Sequence, residues 1–167
     1  DPGPLDAGHV EIEVQHCGIC HSDVSMVDNA WQISTYPLVP GHEVVGSVAA
    51  VGDHVRNVRV DDKVGLGWHS GYCMMCEQCL SGHHNMCATA DQTIVGRHGG
   101  FADTVRASGA SVIKLPDTVS DEQAAPANCA LATVVAGWEA AGIQPLENVW
   151  IQGAGALGIY AAALAKH

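Results

Sequence analysis

A chain of 167 residues with 47% hydrophobic content can bury one good core and begin a second. Seven Lys plus Arg against eighteen Asp plus Glu leave a formal net charge of −11, which repels nucleic-acid phosphates and anionic lipid surfaces alike. No apolar run approaches the ~20 residues of a membrane helix, so neither nucleic acid nor membrane is expected as a partner, and seven cysteines, an odd count, point to reduced thiols and a cytoplasmic location.

The first part of the chain is β-rich in pattern. Residues 10–14 (VEIEV) alternate apolar and polar as a half-buried strand should, and residues 44–51 form a second β-prone run interrupted by Gly46. Residues 60–66, 101–106 and 111–115 repeat the pattern. Turn signals at Pro37, Pro40, Gly41, Gly52, Asp53, Gly99 and Gly100 break the chain too often for long helices, which predicts a barrel-like or partly open antiparallel arrangement.

Inside that domain, residues 73–87 read CMMCEQCLSGHHNMC and place Cys73, Cys76, Cys79 and Cys87 at C-x2-C-x2-C-x7-C. Zn2+ favours four thiolates in a tetrahedron, and two-residue gaps let one tight turn present neighbouring sulfurs to a single ion. A site with all four positions taken by protein has no room for substrate, so a lobe over residues 72–88 is expected to brace a loop. The same four thiols also suit an iron–sulfur cluster, which would make the protein an electron carrier.

The texture changes from residue 120. Ser120 and Gln123 have the Ser-x-x-Gln form of a capping box, and the Ala-rich run beyond predicts a helix over 127–141, restarted after Pro126 and closed by Gly142. Residues 148–152 (NVWIQ) read as an apolar strand that runs into Gly153-Ala-Gly155-Ala-Leu-Gly158 and then another helix. Strand, G-x-G-x-x-G, helix is the order of a dinucleotide fingerprint. Its first glycine makes the turn, the second admits a pyrophosphate close to the backbone, and the third lets helix pack on strand. Such turns also occur for packing alone, and the acidic partner of the ribose, expected ~20 residues further on, falls past His167.

Two further segments, Gly18-Ile-Cys20-His-Ser22-Asp23 and Gly41-His42-Glu43, bear on the choice. The second continues as GHEVVGSVAAVGDHV, with Gly46, Gly52 and Val55 completing a GHE-x2-G-x5-G-x2-V pattern. Together with the cysteine lobe, Cys129 and the glycine turn, they resemble the zinc-containing medium-chain alcohol dehydrogenases over nearly the whole chain. The wording GICHSD, YPLVPGHE and VGLGWHSGYC is most similar to the cinnamyl-alcohol-dehydrogenase-like branch.

The resemblance implies an α/β protein with a GroES-like catalytic domain over 1–126 and the start of a Rossmann domain over 127–167. Family members are longer, so the chain is expected to be a fragment and inactive by itself. The resemblance implies two zinc ions per chain: a structural one in the lobe, and a catalytic one held by Cys20, His42 and Cys129 with a position open for water or substrate. Glu43 would lie close behind the metal and Asp23 would orient the His42 imidazole. Ser22 would take the alcohol proton and pass it on, since a hydroxyl both donates and accepts. His21 would contact the pyrophosphate of NAD or NADP, beside Gly153, Gly155 and Gly158. The implied reaction moves a hydride between a small alcohol or aldehyde and NAD(P), in an enzyme that is a homo-oligomer at full length.

One departure concerns the proton path. Where many relatives end the relay in a histidine, this chain has Ser25, which does not titrate near neutrality. Cys17 forms C-x2-C with Cys20, a spacing that redox chemistry also uses. His69, His83, His84 and His98 are expected as solvated loop residues, and Trp31, Trp68 and Met26 as either pocket wall or core. A noncatalytic zinc-binding structural or interaction domain stays open beside the dehydrogenase and electron-carrier readings.

Overall fold

In the first strand, β1 (His9–Gly18), Val10 and Ile12 are fully buried while Glu13 faces out, so the predicted alternation sets which side meets the core. The computed structural model describes residues 3–166. A short helix, α1 (His21–Val27), follows, and a long loop leads to β2 (Glu43–Val51). Then come β3 (Lys63–Leu66), β4 (His69–Gly71), α2 (Glu77–Leu80) and a 3-10 turn at His84–Met86. After β5 (Asp91–Gln92), β6 (Thr104–Ser108), a 3-10 turn at Gly109–Ser111 and β7 (Ile113–Lys114) complete the β-rich part.

Five strands form one sheet in the order β6-β1-β2-β3-β7, and β4 pairs with β5 separately. Every pairing is antiparallel, with β1 and β2 paired from Val10 opposite Val51 to Gly18 opposite Glu43 through register shifts after Glu11 and after Val14. Val44 and Val48 join Val10, Ile12, Val64, Leu66, Val105 and Val112 in the main core, whereas Val45 on the other face of β2 packs against Ala124 and Ala125. With both faces covered there, the successive Val44 and Val45 are each fully buried.

Three predicted strands shift. The 60–66 run starts as a strand only at Lys63, because Asp62 accepts from the Arg59 amide at 3.0 Å and Asp61 turns the chain at φ 70°. The 101–106 run moves to Thr104–Ser108, since the amides of Gly99, Gly100 and Phe101 are spent on the carbonyls of Val39, Gly41 and Pro40. The 111–115 run shortens to two residues after a 3-10 turn in which the Ala110 amide donates to the Ser108 hydroxyl.

The helical part opens with α3 (Asp121–Pro126), capped by Ser120, whose hydroxyl accepts from the Gln123 amide at 3.4 Å. The expected break at Pro126 does not occur. A π turn at Ala127–Leu131 carries the helix on past Pro126 into α4 (Ala132–Ala141). Gly142 ends α4 in the left-handed region at φ 65°, as predicted. Residues 148–152 are not a strand, because no described strand lies beside them to complete a ladder. They lead to α5 (Ala156–Leu164). No helix among the described residues is long and apolar enough to cross a membrane.

Candidate metal centres and active-site cleft

Cys20 stands immediately before α1 and His42 immediately before β2, while Cys129 lies in the π turn. These three places are far apart in sequence, yet one ligand atom from each of Cys20, His42, Cys129 and Glu43 lies within 4.8 Å of the others. Asp23 organises the group. Its carboxylate accepts from the Cys20 amide at 3.0 Å, the Gly41 amide at 2.8 Å and His42 Nδ1 at 3.0 Å. Although burial works the other way, these bonds, led by that from His42, hold Asp23 below the usual carboxylate range.

The bond to Asp23 places the Nδ1 proton of His42 and leaves Nε2 to face the sulfurs. His42 is 0% exposed and its Nε2 has no hydrogen-bond partner, an orphan that a cation would satisfy. Burial pulls the imidazole down, but the Asp23 and Cys129 side chains outweigh it and push His42 up to about 10, so the site strongly favours positive charge. Burial also opposes ionisation of Cys20; the Ser22 amide and hydroxyl and the His42 ring overcome it and lower the thiol. Cys20 and Cys129 sulfurs are 3.9 Å apart. A Zn–S bond of about 2.3 Å gives a tetrahedral S···S edge of about 3.8 Å, and a disulfide would need about 2.05 Å, so the donor set fits one metal ion.

Glu43, whose carboxylate is part of this group, is buried, and burial pushes its carboxyl up. Its room comes from Gly18, where a Cβ would sit 2.1 Å from Glu43 Oε2. Cys17 is set apart from the cluster: burial pushes its thiol up to about 11, away from redox reactivity.

A cleft of about 600 Å³ opens against Cys129, with Ser22, Trp31, Trp68, Tyr72 and Asn128 among its walls. Trp68 stands edge-on to both Trp31 (centroids 5.9 Å) and His42 (5.2 Å), closing one side of the metal group with apolar rings. Met26 is 1% exposed and belongs to the interior rather than the wall. Ser25 is also buried, and His21 is exposed at the start of α1. A larger cleft, about 790 Å³, lies between α4 and α5 beside Trp138 and Leu146 and holds none of the clustered ligands.

The lobe gathers its four thiols within 4.8 Å of one another. Cys73 is 3.9 Å from Cys79 and 3.6 Å from Cys87, again the edge of a single-ion tetrahedron. Backbone amides are already turned to the sulfurs: Cys76 N–H to Cys73 at 3.3 Å, Cys79 N–H to Cys76 at 3.5 Å. The amides of Met75 and Cys76 lower Cys73 to about 6, whereas burial and the neighbouring thiols push Cys79 up to about 12. Four thiolates cannot share this space without a cation. Of the nearby histidines, His69 and His84 are half-buried with rings 5.5 Å from Tyr72, unlike the solvated loop residues expected, whereas His83 and His98 are exposed as expected, His98 Nδ1 accepting from the Val39 amide at 3.3 Å.

In the glycine turn, Gly153 takes φ 102°, which only glycine adopts freely, and a Cβ at Gly158 would lie 2.0 Å from the Gly153 carbonyl oxygen. Gly155 caps α5 with nothing within 4 Å of its missing Cβ, space that a ligand at the helix N-terminus would need. The residue that sequence reasoning missed is Asn128, whose amide donates to the Val44 carbonyl 84 positions away, at 2.9 Å. No local pattern signals such a partner.

Residues 6–117 match the alcohol dehydrogenase GroES-like domain. The aldehyde reductase AdhA of Synechocystis is 58% identical over 158 residues, which are 95% of this chain and 47% of that protein. Among solved structures, a cinnamyl alcohol dehydrogenase of Sorghum bicolor superposes with TM-score 0.91 at 35% identity, over 98% of this chain and 49% of that one. A cinnamyl alcohol dehydrogenase of Helicobacter pylori complexed with NADP(H) gives 0.90 at 26% identity, over 98% and 50%. The chain spans about half the length of the curated relatives it matches.

Proposed function

The chain belongs to the zinc-containing medium-chain alcohol dehydrogenase family, and from that premise we propose that it forms the metal-binding catalytic part of an NAD(P)-linked alcohol dehydrogenase or aldehyde reductase. The observation that carries this reading is the convergence of Cys20, His42 and Cys129, with Asp23 fixing the imidazole and His42 Nε2 otherwise unpartnered. Two thiolates and one imidazole would hold zinc with a position free, and Cys73, Cys76, Cys79 and Cys87 would hold a second, closed ion.

Bound there, zinc supplies Lewis-acid stabilisation of the negative charge that an alcohol oxygen carries as hydride leaves its carbon. Asp23 holds the ligand ring in one tautomer. Ser22, on the cleft wall and beside Cys20, takes the substrate's hydroxyl proton; with Ser25 buried and non-titrating further along α1, that proton passes on through water or cofactor hydroxyls. Trp31 and Trp68 exclude water from one flank. Glu43 is buried against the metal group, and its carboxylate, when ionised, would temper the charge at the centre. Gly153, Gly155 and Gly158 would receive the pyrophosphate of NAD or NADP, with His21 reaching it from the other side.

In this reading residues 1–126 are the GroES-like domain and 127–167 the connecting helix and opening of a Rossmann domain, within a homo-oligomer of the cytoplasm, where seven free thiols are at home. Sulfur separations of 3.6–3.9 Å in the lobe favour one ion over a multi-iron cluster, and an open three-ligand centre beside a cleft is superfluous in a purely structural module. Turnover of the full-length protein with a panel of alcohols and aldehydes and each cofactor, alongside metal analysis, tests the reading. Two zinc ions per chain and NAD(P)-dependent turnover are expected. No activity in any pairing from a colourless two-zinc protein overturns it.

A further inference from the structure

Cys129 is the one ligand of the proposed catalytic centre that a helix carries, in a π turn of the kind often found at functional sites. The residue beside it is anchored from outside. Asn128 Nδ2 donates to the Val44 carbonyl at 2.9 Å, and Val44 follows His42 and Glu43 directly in β2. The adjacent strand is shaped to admit the same side chain: a Cβ at Gly65 would stand 2.5 Å from Asn128 Oδ1, and one at Gly67 would stand 2.4 Å from the Asn128 carbonyl oxygen. Gly65 pairs with Val45 and Leu66 with Val44, so β2 and β3 together form the seat.

We propose that Asn128 is the positioning residue of the centre: its amide, seated between Val44, Gly65 and Gly67, sets where the Cys129 sulfur stands relative to Cys20 and His42. The inference rests on reading that cluster as a metal centre. A leucine at 128 would match the amide roughly in size but leave the Val44 carbonyl without this donor and let the turn drift. An alanine at 67 would press on the turn from the strand side, leaving the asparagine intact. An aspartate at 128, nearly isosteric, would oppose one oxygen to another. All three changes converge on Cys129 and leave the lobe untouched.

The test is zinc release from the full-length protein into a chelating dye, with the lobe ion as internal reference. Positioning partners of metal ligands are worth about 10–100-fold in metal affinity. Asn128→Leu and Gly67→Ala are each expected to speed release of one ion by about that factor while the other leaves at the wild-type rate. Asn128→Asp serves the same purpose if Asn128→Leu does not fold. Wild-type release of both ions from Gly67→Ala and from whichever Asn128 variant folds overturns the inference. A wild-type protein that holds only the lobe ion overturns the underlying metal-centre reading, and the inference with it.

Discussion

The lobe at residues 73–87 and the cluster at Cys20, His42 and Cys129 space their sulfurs almost identically, 3.6–3.9 Å and 3.9 Å, yet they are built in opposite ways. In the lobe all four donors lie on one short stretch whose own amides point at the sulfurs. In the other cluster the donors come from the loop before α1, the loop before β2 and a π turn, and they are held in place by intermediaries, Asp23 and Asn128. The lobe is thus a local device whose donors are arranged by its own backbone. The distributed cluster can exist only after the antiparallel sheet has closed and α3 has docked on β2. A site made that way inherits the rigidity of the sheet, which suits geometry that must be exact for chemistry.

Breaking each centre separately sharpens the contrast. The largest expected effect is on turnover: His42→Gln in the full-length enzyme should lose one zinc per chain and about 10³-fold or more in rate, since Lewis-acid stabilisation is worth several kcal/mol. Metal analysis and steady-state kinetics check it, and the lobe ion should stay. Next in size is Cys76→Ser. Structural zinc binding is worth about 10–16 kcal/mol in small zinc modules, so losing one ligand should cost several kcal/mol and lower Tm by about 10 °C or more, with folding or assembly failing before chemistry does. A Cys76→Ser protein that kept its fold and both ions but lost turnover would mean the two centres had been assigned the wrong way round.

The smallest effect lies within the lobe. With Cys73 lowered to about 6 by the Met75 and Cys76 amides and Cys79 pushed up to about 12 by burial, the first is thiolate and the second thiol near pH 7. In chelator-treated protein, iodoacetamide should therefore label Cys73 ahead of Cys79 as followed by peptide mass analysis, and the preference should fade as pH falls below about 6, where Cys73 takes up its proton. Labelling of Cys79 first would show that the amides do not control the lobe.

Legibility in the sequence follows the same local-versus-distributed line. The alternation at residues 10–14, the lobe spacing, the Ser120 cap and the αL glycine at 142 were readable because each depends on neighbours within a few positions. Strand ends at Lys63 and Thr104 were not, because side-chain and loop bonds to Asp62 and to residues 39–41 took the backbone groups that a longer ladder would have used. Pro126 looked like a break, but the helix continues past it through a π turn. Residues 148–152 have the composition of a strand, but strandedness is a property of pairs.

By itself, then, the sequence determined a β-rich front, a lobe of four thiols at metal-ligand spacing and a glycine turn whose conformation at Gly153 and close packing at Gly158 require those residues. Its motifs also indicated the family, and through it which cysteine and histidine to watch. Only the tertiary structure brought Cys129 to Cys20 across 109 positions, bound Asp23 to both the Cys20 amide and the His42 ring, and seated Asn128 on Val44. The physical reason is that such contacts are created by sheet register and helix docking, which sum many weak burials spread along the chain, and no short window of residues contains that sum.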